Sequence, residues 1–216
     1  MTMTRVGHGD SGDGDAPAGE LTLAGWRREV GEMYAEVRAA ADPAEAHARW
    51  RQRRDRLFRE HPQSPLAAGD PLRATGLPYW PYNPGLRMTA PLLPAEPAAS
   101  YAVTTAADEV TRIRQLGWVE LPDAVGGRLA VWWLEQYAGG IFVPFRDATA
   151  GTSTYGAGRY LLDTAKGADL GVDDGNLVLD FNFSYHPSCR YDPAWLCPLA
   201  PPENVLVAAI EAGETL

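Results

Sequence analysis

Basic residues are scarce in this chain of 216 residues: Lys and Arg total 19 against 28 Asp and Glu, a formal net charge of −9. A chain this acidic repels phosphate backbones, so no nucleic-acid partner is expected. Long apolar runs are also missing. None approaches the roughly 20 residues that span a bilayer, so no membrane partner is expected. The first stretch, MTMTRVGHGDSGDGDAPAGE, lacks the apolar centre of a signal peptide. Its Gly, Asp and Ser content reads as a disordered tail over residues 1–20. A cytoplasmic location is the expectation, in which thiols stay reduced.

Cysteine is nearly absent. The two present, Cys189 and Cys197, stand as C-x7-C, wider than the close pairs that zinc sites use. With His186 they supply three ligands at most, at irregular spacing. No metal is expected. Cofactor signals are lacking too. The GAG at Gly156–Gly158 does not open a helix and lacks the full phosphate-loop pattern. Asp180-x-Asn182 lacks the Gly and distal Glu of a calcium loop. No internal repeat is present, and nothing specifies an oligomeric state.

What is present begins with two helices, expected over residues 21–62. In WRREVGEMYAEVRAA, Trp26, Val30, Met33, Tyr34 and Val37 fall on one stripe. The second helix has a start signal: Asp42 as N-cap, Pro43 at the first helical position, then Glu45. His61-Pro62 stops it. Its apolar stripe is Trp50, Leu57 and Phe58. Six arginines lie between Arg49 and Arg59, and most read as a solvated face. Arg54 differs. It falls on the apolar side, where a charge needs a carboxylate, and the candidates are Asp147, Asp180, Glu203 and Glu211.

From residue 63 the chain reads as a β-rich domain packed with those helices as one unit. Proline and aromatic residues crowd GLPYWPYNPGLRMTAPLLPAEP, which suits edge strands and turns. YAVTTA, TRIRQLGWVEL, RLAVWWLEQY, IFVPFR, TYGAGRYLL, GNLVLDFNF and NVLVAAIEAG read as successive short strands. The expected class is α+β, mainly antiparallel, with a barrel- or sandwich-like β domain and two N-terminal helices.

The polar residues of those strands are the candidate site. On an extended strand, Tyr155 and Arg159 share a face, with Arg146 ending the incoming strand. Two arginines beside a phenol suit a carboxylate or phosphate ligand. The competing reading is a tight hairpin held by Asp147, with the arginines paired to core carboxylates. Asp180 and Asn182 share one face of GNLVLDFNF, while Leu177, Leu179, Phe181 and Phe183 share the core face. The stretch DFNFSYHPSCRYDPAWLCPLAPPEN carries five prolines, so it is stiff and suits a lid. Its thiols read as small buried hydrophobes without a base, slow to alkylate.

These segments resemble the family called domain of unknown function 1684. The resemblance rests on FRDATAGTSTYGAGRYL (Phe145–Leu161), on Asp180–Cys189 and Cys197–Asn204, and on the closing Glu211–Glu214. Trp50, Arg54, Asp55 and Ser64-Pro65-Leu66 extend it toward the N-terminus. The family commonly has Asn where this chain has His186, which argues against a required histidine ligand or base. The resemblance implies a shared fold and a shared grouping of residues, and it names no activity.

The first functional expectation is a pocket for a small anionic metabolite, lined by Arg146, Tyr155, Arg159, Asp180, Asn182, Glu203 and Asn204. Whether a reaction follows binding stays open. The alternative is a non-catalytic structural or interaction module, in which the same residues satisfy one another in a buried network.

Overall fold

The computed structural model describes residues 16–104, 110–135 and 137–216. Residues 1–15 of the expected tail therefore lie outside the described residues, as do the end of YAVTTA and Gln136. The first helix, α1 (Ala16–Ala39), begins earlier than its apolar stripe does. Val30, Met33 and Tyr34 are buried, and Trp26 and Val37 pack beside them. The second helix, α2 (Pro43–Glu60), starts as its sequence predicts. Asp42 accepts hydrogen bonds from the N–H groups of Ala44 and Glu45, a cap that contributes about 1 kcal/mol. Its buried face is Ala46, His47, Trp50, Arg54, Leu57 and Phe58. The short helix α3 (Leu72–Thr75) was not legible in the sequence.

Two sheets follow. The smaller is antiparallel, with β9 (Asn176–Asp180) between β1 (Arg87–Ala90) and β8 (Val172–Asp173). The larger runs β2 (Leu93–Pro94), β4 (Val110–Glu120), β5 (Arg128–Leu134), β6 (Ile141–Phe145) and β7 (Arg159–Asp163). The strand β3 (Ser100–Thr104) pairs with the first half of β4 and β2 with its second half. Every pairing is antiparallel. The fold is sandwich-like α+β. The barrel alternative is not realised: among the described residues, β7 does not pair with β2 or β3 to close the sheet.

Both faces of the larger sheet are covered, and this explains why β5 reads RLAVWWL rather than alternating with polar residues. Leu129 and Val131 point into one core, shared with α1, α2 and the smaller sheet. Ala130, Trp132 and Leu134 point into a second, with Ile113, Phe142 and Tyr160. Fully covered strands need apolar residues on both faces.

Three expected strands change most. TYGAGRYLL becomes a strand only at Arg159, because Gly156–Ala157 forms a turn. GNLVLDFNF ends at Asp180, whose side chain accepts the Asn182 N–H and caps a 3-10 turn over Phe181–Phe183. NVLVAAIEAG forms no strand. Its backbone bonds twice to Arg146 and once to Ala148, then mostly to side chains.

Candidate functional site

The chain's last turn buries Glu214 completely. Oε1 accepts from Arg54 Nε at 2.6 Å and from the Tyr79 hydroxyl at 3.2 Å. Oε2 accepts from the His186 N–H at 2.6 Å and the Tyr191 hydroxyl at 3.0 Å. Burial pushes this carboxyl toward protonation. Arg54 and the hydrogen bonds, the His186 N–H among them, outweigh it and hold Glu214 below the ordinary carboxylate range. A carboxylate with four donors on its two oxygens has little basicity left for chemistry. Arg54 does have a buried carboxylate partner, but it is Glu214 rather than any of the four candidates. Glu211, three residues earlier, lies exposed.

His186 is fixed as neutral. Its Nε2 accepts the Tyr155 N–H at 3.2 Å, so the ring proton sits on Nδ1, 3.6 Å from Glu214 Oε2. Burial lowers its pKa to about 4, despite the neighbouring carboxylate. With both nitrogens committed, it is no base for a cysteine.

Arg159 is the second buried cation. Nη1 donates to the carbonyls of Ala212 and Glu214, and Nη2 to the Ile210 carbonyl (2.8 Å) and Asp147 Oδ2 (3.2 Å). Asp147 also takes the Ile210 N–H at 2.6 Å and the Thr149 hydroxyl at 2.8 Å. Arg159 thus holds the C-terminal segment by its carbonyls. Arg146, by contrast, points to the surface.

The remaining expected residues fall into separate networks. Asn182 pairs with the backbone of Asn83 in both directions at 2.8 Å and donates to Asp180. Asp180 also accepts from Tyr82, and burial raises its pKa. Asn204 donates to the carbonyls of Ala130 and Pro144 and accepts from Trp132 Nε1 at 3.1 Å. Glu203 accepts from the Tyr101 hydroxyl at 2.7 Å. Tyr155 is half-buried beside Cys189. The seven residues therefore do not line one pocket.

One of them, Asp180, does border a cleft of about 270 Å³. The cleft opens between the end of α1, the start of α2, and strands β1, β8 and β9. Arg38, Arg87 and Asp173 supply its other charges, over a floor of Leu170, Val178 and Phe183. Arg38 Nη1 donates to the Asp169 carbonyl at 2.6 Å. The Arg87 side chain makes no hydrogen bond with the described residues; its Nε lies 3.8 Å from Asp180 Oδ2. Sequence reading missed both arginines. Each sits alone in its segment, and only the tertiary fold sets them around one space.

The thiols also differ from expectation. Cys189 and Cys197 are half-buried, not core residues. The facing Cys197 and burial push the Cys189 thiol up, and Cys189 draws the Cys197 thiol down. The prolines around them keep this segment out of regular structure, so its side chains are not enclosed. Among the described residues no group of three or more His, Cys, Asp or Glu is placed to hold a metal ion. No helix among them is long and apolar enough to cross a membrane.

The family described as Protein of unknown function (DUF1684) matches residues 73–215. The match starts after α2, so Trp50 and Arg54 lie outside it. Among solved structures, the chain is similar to the solution NMR structure of the uncharacterized protein from gene locus rrnAC0354 of Haloarcula marismortui. The two are 33% identical over 80% of this chain and 92% of that one, with a TM-score of 0.55. No curated protein matches.

Proposed function

We propose that this chain, which belongs to the family of proteins of unknown function DUF1684, binds a small molecule by an anionic group in the Arg38–Arg87 cleft. The carrying observation is the Arg87 side chain, 37% exposed, with its hydrogen-bonding capacity unspent beside a cleft wall. A guanidinium offers five donors in a planar fork that fits carboxylate and phosphate groups. The Arg38 side chain, also 37% exposed, faces the same space. A volume of about 270 Å³ suits a metabolite rather than a macromolecule. Asp180, 3.8 Å from Arg87 Nε, and Asp173 would favour a ligand that also carries donors. Of the seven residues first expected to line the pocket, Asp180 borders this cleft and the other six do not.

Thermal shift of the full chain against a panel of carboxylate and phosphate metabolites tests this. At least one should raise the melting temperature, and Arg38→Ala/Arg87→Ala should abolish that rise. If no anionic compound stabilises the protein, or if wild type and the double variant respond alike, the reading fails. A second reading, a non-catalytic structural or interaction module, is favoured by one observation. Arg159, Asn182 and Asn204 are buried and each is hydrogen-bonded to protein groups. That reading predicts that the cleft variants change neither stability nor any ligand response.

A further inference from the structure

Two buried polar atoms between α1 and the larger sheet have no partner. The Tyr34 hydroxyl and Asp163 Oδ1 make no hydrogen bond with the described residues, and both residues are only 2% exposed. Buried polar groups are otherwise almost always paired, so two orphans in one place call for a missing partner. Both residues line a chamber of about 50 Å³, together with Val30, Met33, Arg54 and Tyr185. Arg54 adds to the deficit. Its Nε is spent on Glu214, but its two terminal nitrogens make no hydrogen bond with the described residues. Phe58 at 4.4 Å and Tyr185 at 4.8 Å hold the guanidinium plane, so this free end of the fork is fixed in place.

The chamber has an approach. A hollow of about 100 Å³ is walled by Leu23, Trp26, Arg27 and Trp195. Trp26, Lys166 and Ser188 border both spaces, so the hollow adjoins the chamber. Neither space shares a lining residue with the Arg38–Arg87 cleft. An apolar body would rest between the indoles of the hollow, and a polar head would enter the chamber.

We propose that the chamber and its approach form a second binding site, for a small neutral molecule with a carboxamide head and an apolar body. The charges of the chamber select that head. Arg54 is neutralised by Glu214 at 2.6 Å, and Asp163 Oδ2 lies 3.6 Å from Lys166 Nζ. A carboxylate head would meet Asp163, and an ammonium would meet Arg54 and Lys166. Like charges in an enclosed space of low dielectric repel strongly. A carboxamide avoids both conflicts. Its carbonyl oxygen accepts from the Arg54 fork, and its N–H donates to Asp163 Oδ1. The Tyr34 hydroxyl serves either atom. Burial raises the Asp163 pKa against the pull of Lys166, so a donor at Oδ1 is what this carboxylate lacks.

Titration of the full chain with benzamide, followed by the indole N–H signals in NMR spectra, provides the test. The expected result is a saturable shift of the Trp26 and Trp195 signals, assigned through Trp26→Phe and Trp195→Phe. Benzoate and toluene should bind at least about ten-fold more weakly, since each lacks one or both partners of the head. Asp163→Asn should weaken benzamide at least about ten-fold, and Tyr34→Phe roughly five-fold. Melting curves establish that both variants are folded. Trp195→Ala, at a 37% exposed position, should weaken binding without lowering the melting temperature. The Arg38→Ala/Arg87→Ala variant should bind benzamide as wild type does, which keeps this test separate from that of the cleft. No saturable shift would overturn the proposal, because the chamber would then hold water only. Equal binding of benzoate or toluene would overturn it too, as would loss of the benzamide response in the cleft variant.

Discussion

Arg54 and Glu214 lie 160 positions apart and meet at 2.6 Å, with both side chains nearly excluded from solvent. The Arg54 guanidinium also stacks on Phe58 at 4.4 Å and Tyr185 at 4.8 Å. The pair pins the second helix to the end of the chain. Removing the cation leaves a buried carboxylate without its main counter-charge, a change that typically costs about 3–5 kcal/mol. Arg54→Ala should therefore lower the denaturation free energy by that amount. Arg56→Ala, on the exposed face of the same helix, should stay within about 0.5 kcal/mol. Arg51 is not the clean control its position suggests, because it stacks on Tyr79 at 4.5 Å. Equal small losses at positions 54 and 56 in urea titrations would mean that the ion pair does not anchor the helix.

The neutral His186 gives stability a defined pH dependence. Its folded pKa, about 4, lies below the ordinary value of 6.5 because the ring is buried. Its contribution is therefore complete above the unfolded pKa. It is lost as pH falls from about 6.5 toward 4, where only the unfolded chain takes the proton. The full span corresponds to roughly 3 kcal/mol. His47, likewise lowered to about 4 by burial and then by Arg51, adds a second loss of the same sign. His186→Asn should flatten the fall in melting temperature between pH 7 and pH 4, leaving the His47 share. An unchanged profile would show that His186 is not held neutral.

Asn204 reads as a candidate ligand group but is engaged at both ends of its amide. Asn204→Ala would strip a partner from the Ala130 carbonyl, the Pro144 carbonyl and Trp132 Nε1, all in the sheet interior. Each unsatisfied buried group costs about 1–3 kcal/mol, so a loss of roughly 3 kcal/mol or more is expected. Tyr101→Phe, which removes the exposed bond to Glu203, should cost under about 1 kcal/mol. Should Asn204→Ala melt with wild type, the residue would be available for another role.

What could be read in advance was what local chemistry decides. Asp42 and Pro43 announce the start of α2, and a cation on its apolar side requires an acid. The identity of that acid was not legible, because it depends on which loop the topology returns to the helix. The C-terminal segment was misread for a related reason. Its apolar residues suit a strand, but Arg159 and Asp147 take the Ile210 carbonyl and N–H that a neighbouring strand would otherwise pair. Side-chain partners of this kind leave no periodic trace. The turn at Asp180 was more accessible: an Asx cap two residues before Asn182 is a known way to end a strand. Arg38 and Arg87 carry no local signal at all. A guanidinium at the end of a helix and another on an edge strand become a site only when the sheet packs against the helices.

Gly213 sets the position of Glu214, and its substitution separates geometry from charge. Its φ of 76° lies in the left-handed region, and an added Cβ would stand 2.4 Å from the Ser184 carbonyl oxygen and 2.9 Å from that of Phe181. Those oxygens are backbone, held by the Glu214 N–H bond to Ser184 and by the Phe181 turn, so neither can swing aside. The left-handed backbone alone costs an L-residue about 1–2 kcal/mol, and the clash adds to it. Gly151, with a φ of 83° but open space around it, isolates the backbone share. Gly151→Ala should therefore cost about 1–2 kcal/mol and Gly213→Ala clearly more. The displaced turn should also break the Arg54 contact, so that Gly213→Ala and Arg54→Ala lose less together than the sum of their separate losses. Strict additivity in a double-mutant cycle would show that the glycine and the ion pair stabilise the fold independently.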